Sequence, residues 1–422
     1  QVALERIDAA GSGRAVGRGG RRRKAVVSDR RADPARWDRA AESGDASARY
    51  HLGLMYEQGL GLPIDMQKAE FWYLASARQD DVRAQLALGR LYEKSHNPLA
   101  RDWYLKAAEQ GNADAQFALG RRCCAGEGEK PDFFQGVAWY LKAAEQGDLR
   151  ALMTLGHLLV GTTLENMAVE CFEKAAAMDD PEAQYLLGRH LASTKGPQRD
   201  PGGAFEWYKR SADQGFAAAQ SAVGTAYASG SGVAPDFSEA FAWLQKAAAQ
   251  GDAQAQWNLG SMYASGGEGL KQDLRQAFVW CHSAADLGFV PAQATLGVLF
   301  ARIKDPVQAV RWWEKAALQG DPEAQFNLAV MFSKGQGVAP DAQRAFQWFA
   351  KAAAQGVASA QSKLGLLYAV GNGVAQDPIE AHRWFMLAAP GDAVARANLA
   401  RSTARLTADQ VAEAERRAIG AG

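Results

Sequence analysis

The hydrophobic positions of this chain recur three and four residues apart, which places them on one face of an α-helix, and the same helical pattern returns many times. In the copy that begins at Ala219, Val223 and Tyr227 follow at four-residue steps. A glycine-rich break comes next, and Ala240, Trp243 and Ala247 then mark a second helix. An Ala-Gln pair heads the first helix at Ala84-Gln85, Ala115-Gln116, Ala183-Gln184, Ala219-Gln220, Ala255-Gln256, Ala292-Gln293, Ala324-Gln325 and Ala360-Gln361. Altered copies stand at Ala48-Arg49, Ala151-Leu152 and Ala395-Arg396. Successive marks lie 31 to 37 residues apart. A period of this length belongs to stacked arrays, in which no unit buries its apolar face alone. The chain therefore reads as all-α, a solenoid of about ten helix-loop-helix units over residues 46–391, each a helix A, a loop and a helix B.

Each recurring residue has a physical task. Glycine follows the apolar position of helix A in most units (Gly53, Gly89, Gly120, Gly156, Gly188, Gly224, Gly260, Gly297, Gly365). A mid-helix glycine costs roughly 1 kcal/mol against alanine, so its return implies the close approach of another helix. Loops such as Gly230-Ser231-Gly232-Val233 supply positive φ just past helix A. The aspartate that follows (Asp65, Asp236, Asp273, Asp341, Asp377) is placed to cap helix B, whose apolar face carries Ala69 and Trp72, Ala240 and Trp243, Ala345 and Trp348, or Ala381 and Trp384. Units two, four and eight are short by four or five residues, and the loss falls in the A–B loop, so both helices and the stack continue through them. Residues 34–45 read as an orphan helix B that caps the start. Residues 392–422 read as a terminal half-repeat and a polar capping helix, opened by the capping box Thr407-Ala408-Asp409-Gln410.

Charge adds little to this picture and cysteine only slightly more. The 422 residues balance 47 basic against 47 acidic side chains, so nothing global points to nucleic acid, an anionic membrane or an acidic substrate. Residues 1–33 are the exception: a basic tail around Arg21-Arg22-Arg23-Lys24, expected to be disordered alone and the only segment suited to nucleic acid or anionic lipid. No run of apolar residues is long enough to span a membrane. The chain opens on Gln1 rather than Met and is expected to lack its true N-terminus, which leaves the compartment open between bacterial cytoplasm and periplasm. The four cysteines (Cys123, Cys124, Cys171, Cys281) form no CxxC, and free thiols are expected.

The multi-position motif over residues 46–391 resembles the Sel-1-like repeat family, relatives of the tetratricopeptide repeats. The resemblance implies a right-handed superhelix whose A helices line a concave groove that holds proteins or peptides. Family members are scaffolds and adaptors. The cysteine-stapled secreted branch places a cysteine in each helix of a repeat, and no repeat here does so. By analogy with tetratricopeptide geometry, the groove positions are the residue two before the helix A leucine and the residue just after the glycine. They yield Tyr50, Arg90, Phe117, Arg121, Met153, His157, Tyr185, Arg189, Trp257 and Phe326 as candidate partner contacts. In repeats two to five, Arg90, Arg121, His157 and Arg189 follow one another beside Phe117, Met153 and Tyr185. Arginine forks bind carboxylates and aromatic neighbours add stacking, so an acidic peptide or a C-terminal carboxylate is one expectation. The other is that these aromatics pack as ordinary repeat residues and the arginines are solvated.

Catalytic chemistry finds no foothold. The six histidines are scattered, no HExxH, nucleophile elbow or Walker loop occurs, and Cys281 and His282 are helix neighbours that point about 100° apart. The Gly-x-Gly loops follow helices, not strands, so turn geometry explains them. The expectation is a non-catalytic interaction scaffold or adaptor with no cofactor, metal or small-molecule substrate. Two alternatives stand: a dedicated chaperone or immunity-type neutraliser of one cognate protein, and an envelope protein that supports exopolysaccharide export or its regulation.

Overall fold

A computed structural model describes residues 34–127, 130–193, 199–267 and 269–419; the basic segment Arg21–Lys24 lies outside them. Among the described residues there are 23 α-helices and no strand, in strict helix A, loop, helix B order from Ala46 onward. The chain divides into two compact units, residues 1–200 and 201–422, so the fifth repeat contributes its A helix (Pro181–Ser193) to the first and its B helix (Pro201–Asp213) to the second.

The A–B hairpin is built on the mid-helix glycines. A Cβ at Gly89 would lie 2.6 Å from the ring of Tyr104, and one at Gly120 would lie 2.7 Å from Tyr140. Those tyrosines are almost wholly buried, so the glycine is the socket into which the B helix presses its ring. The same opposition pairs Gly53 with Tyr73, Gly156 with Phe172, Gly224 with Leu244, Gly297 with Trp313 and Gly365 with Phe385. In most repeats this moves the core by one residue from where the periodicity of helix B places it, although Trp243 is buried together with Leu244. Trp72, Trp103, Trp139, Trp348 and Trp384 are only half-buried, and the residue after each fills the core. Three of the five displaced tryptophans carry a lysine one turn on: Lys106 stands 4.3 Å over Trp103, Lys142 4.0 Å over Trp139 and Lys351 4.1 Å over Trp348. A cation–π contact suits a ring with one face to solvent.

Helix ends follow the sequence closely. Gly59, Gly230, Gly335 and Gly371 end their A helices in the left-handed region. The second loop glycine has another reason: a Cβ at Gly232, Gly337 or Gly373 would collide with the first-turn backbone of the preceding B helix, at Pro201, Pro306 or Ala342. Asp65, Asp236, Asp273, Asp341 and Asp377 all accept first-turn N–H groups of their B helices. At the C-terminus the Thr407 N–H donates to Gln410 Oε1 at 2.9 Å and the Gln410 N–H donates to Thr407 Oγ1 at 3.3 Å, the reciprocal capping box.

The glutamine of the Ala-Gln pair has the task that periodicity does not reveal. Its amide is buried at the seam between repeats, where the Nε2 of Gln116, Gln220, Gln325 and Gln361 donates to a carbonyl at the end of the preceding B helix at 3.1–3.2 Å. Its Oε1 accepts from a second glutamine that closes helix B of the same repeat: Gln110 to Gln85 at 2.8 Å, Gln146 to Gln116 at 2.8 Å, Gln250 to Gln220 at 2.8 Å, Gln319 to Gln293 at 2.7 Å and Gln355 to Gln325 at 2.9 Å. In repeat four both members change together, to buried Leu152 and exposed Met178. Repeat seven keeps Gln256 but has Leu287 at the closing position, and there Gln256 Oε1 is buried without a partner.

Candidate functional site

A functional surface on such a stack must come from side chains the core does not consume, and the A helices offer them in register. All ten candidate contacts lie on A helices, and each is half-buried or exposed. Eight belong to the first unit: Tyr50 on Ala46–Gln58, Arg90 on Val82–Lys94, Phe117 and Arg121 on Ala113–Ala125, Met153 and His157 on Leu149–Leu159, and Tyr185 and Arg189 on Pro181–Ser193. Trp257 and Phe326 belong to the second.

In the first unit the groups are joined by charge. Arg90 pairs with Asp114 of the next A helix at 3.0 Å, and the same carboxylate pairs with Arg150 of the helix after that. Asp114 is half-buried, which pushes its pKa up, but Arg150 and Arg90 outweigh burial and hold it below the ordinary aspartate value. Arg121 pairs with Glu93 and, at 3.2 Å, with Glu127; Glu93 also accepts from the Tyr104 hydroxyl at 2.9 Å. His157 Nε2 lies 3.4 Å from Glu182. Of the three arginines among the candidates, Arg189 alone has no ion pair among the described residues, and it is exposed. The arginines of this face are therefore mostly engaged with the chain's own carboxylates, and those carboxylates (Glu93, Asp114, Glu127, Glu182) are the members that reading the arginines alone leaves out. Asp114, Arg150 and Glu182 all stand in the first turn of their A helices, a register from which they can be found.

The aromatics are layered on the same face. Arg83 stacks 4.8 Å over Tyr50 and Arg150 4.7 Å over Phe117, whose ring is 5.4 Å from Tyr140. Burial raises the Tyr50 hydroxyl pKa, against the lowering influence of Arg83. Met153 and Tyr185 pack around a cluster of Leu159, Phe172 and Leu186. In the second unit the Trp257 indole N–H donates to Thr295 Oγ1 at 2.9 Å, and Phe326 lies 5.7 Å from Phe349.

The cysteines are free thiols. Cys281 fills the socket under Gly260, and burial pushes its thiol up to about 12; Cys124 is pushed up to about 11, again chiefly by burial. Neither is a nucleophile near neutral pH. Among the described residues no group of His, Cys, Asp and Glu is arranged to hold a metal, and no helix is long and apolar enough to cross a membrane.

The Sel1 repeat profile matches the chain in ten segments, from residues 46–81 to residues 358–389; nine of them open just before an Ala-Gln mark or its altered copy, and the fourth, residues 164–180, covers only the second half of its repeat. A protective antigen of uropathogenic Escherichia coli strains that displays an SLR fold is 31% identical, with a TM-score of 0.52 over 92% of this chain and 94% of that one. A Sel1 repeat protein from Oxalobacter formigenes is 33% identical, with a TM-score of 0.53 over 56% of this chain and 98% of that one. A Sel1-like repeat-containing protein of Acanthamoeba polyphaga mimivirus is 42% identical over 52 residues, 12% of this chain, so the chain spans about a tenth of that relative's length.

Proposed function

The chain belongs to the Sel1 repeat family, whose repeats are general protein-interaction scaffolds, and from that premise we propose that it binds a segment of a protein partner along its A helices. The observation that supports this reading is that every candidate side chain is half-buried or exposed and lies on an A helix, at one of two recurring register positions. No catalytic family is indicated, and the reading is non-catalytic: positioning of a partner, with no bond made or broken.

For the first unit the partner segment is acidic, an internal stretch of Asp and Glu or a C-terminal carboxylate. Its carboxylates meet Arg189 directly and displace Asp114 and Glu93 from Arg90 and Arg121 by exchange. Exchange of one carboxylate for another releases little net energy at a surface, so the stacking area of Tyr50, Phe117, Met153 and Tyr185 supplies much of the affinity. The Arg90→Ala/Arg121→Ala/Arg189→Ala variant tests this in a pull-down from the native host with crosslinking. Loss of the partner captured by the unmodified chain is expected, and full retention of that partner defeats the proposal.

A further inference from the structure

The A helices of the second unit differ in kind from those of the first. Ala217–Ser229 and Ala253–Ser265 contain no Asp, Glu, Lys or Arg. Val290–Arg302 and Pro322–Lys334 hold only Arg302, Glu323 and Lys334, all in terminal turns where the helix dipole favours them. Ala358–Val370 holds only Lys363. The register position that carries Arg90, Arg121, His157 and Arg189 in the first unit carries Thr225, Ser261, Val298, Val330 and Leu366 in repeats six to ten, and a charge returns there only with the exposed Arg401 of the terminal helix Ala393–Thr403. Thr225 is exposed, Val298 is 51% exposed, and Ser261, Val330 and Leu366 are half-buried. In repeats six to eight two neutral polar pairs link successive A helices: Asn258 Nδ2 donates to Thr225 Oγ1 at 3.1 Å, and the Trp257 indole N–H donates to Thr295 Oγ1.

We propose that the A-helix face of repeats six to eight takes an uncharged segment of a protein partner, one of apolar and Ser, Thr, Asn or Gln side chains, and rejects charged segments. A charged side chain docked there would lose its water and meet no counter-charge short of Arg302 at the end of the third helix, whereas a neutral side chain loses less on leaving water and gains apolar contact. Rejection of this kind separates partners as effectively as attraction does. The inference rests on the reading of the A helices as the binding face, and it gives the first unit an acidic partner segment and the second an uncharged one.

Panning a random linear-peptide library against the full chain tests it, with recovered clones re-measured on Val298→Glu and on the Arg90/Arg121/Arg189 triple alanine variant. Val298 is exposed, so Val298→Glu leaves the core intact, and Val298→Thr serves as the conservative control that keeps binding. Clones that weaken about tenfold or more on Val298→Glu are expected to carry Asp, Glu, Lys and Arg below library frequency and to bind the triple variant normally. Charged residues at or above library frequency in those clones overturn the inference. So does a set of clones sensitive only to the triple variant, which leaves the A-helix reading standing. Clones indifferent to both variants overturn both. A dimer in sedimentation that Val298→Glu dissociates assigns the face to a second copy and overturns the inference as well.

Discussion

Glycine at the centre of an A helix is a packing residue here, and its worth can be measured. Gly89→Ala gains roughly 1 kcal/mol of helix propensity, yet it drives a methyl into the Tyr104 ring, and overpacking of this kind costs about 1–3 kcal/mol. The expected outcome is a net loss of about 1 kcal/mol in urea denaturation. Repeat nine shows how the chain itself accommodates the methyl: Ala329 replaces the glycine, and the opposing position holds Phe349, with both in one buried cluster. Leu287 invites the reverse experiment. It is 61% exposed and stands where the closing glutamine would satisfy the orphaned Gln256 Oε1. Leu287→Gln is expected to stabilise the protein by about 1 kcal/mol, and an unchanged denaturation midpoint would count against the glutamine seam as a source of stability.

Helices are held in pairs by those residues, and the burial of His382 between two of them leads to an expected dependence on pH. His382, buried on Pro378–Ala388, lies 2.7 Å from the Ser402 hydroxyl of the next helix, and burial lowers its pKa against the weaker raising influence of Glu415. The unfolded chain therefore takes up the proton first, near the ordinary histidine value of about 6.5. Stability is lost as pH falls from there toward the folded-state value, because the unfolded state binds more protons. His51, also lowered chiefly by burial, acts in the same direction near the N-terminus. Thermal melts at pH 7 and pH 5 are expected to differ less for His382→Asn than for the unmodified chain. Much at this scale was legible beforehand: repeat register, loop glycines, aspartate caps and the terminal capping box follow from local rules that need no partner. The aromatic core of helix B was not, since Trp103 and Tyr104 are adjacent and equally apolar, and only the geometry of the Gly89 socket selects the tyrosine. The acidic partners of Arg90 and Arg121 escaped for a similar reason. Pairing between A helices is set by the stacking distance of repeats, which no single helix encodes.

Across the whole molecule the A helices of the first unit carry paired charges, while those of repeats six to eight carry only Arg302, and the proposals above give these two faces different partners. Added salt should separate them, because exposed ion pairs weaken as screening lengths shorten to a few ångströms. Capture of an acidic partner by the first unit is expected to fall steeply between low and high salt, while peptides selected for the second unit should be retained. Equal salt sensitivity in binding assays would show that charge does not divide the two faces. The glutamine seam bears on how a molecule of this kind comes to have ten repeats at all. Both glutamines of a seam lie in the same repeat, and what they need from the preceding repeat is a main-chain carbonyl, such as Ala108 for Gln116 or Gly320 for Gln355. A segment duplicated or deleted in whole repeats thus brings its matched side chains with it and finds its acceptor in any neighbour. The gene can lengthen or shorten by recombination without a second, compensating mutation, and the length of the binding surface becomes a quantity that selection can adjust in steps of one repeat.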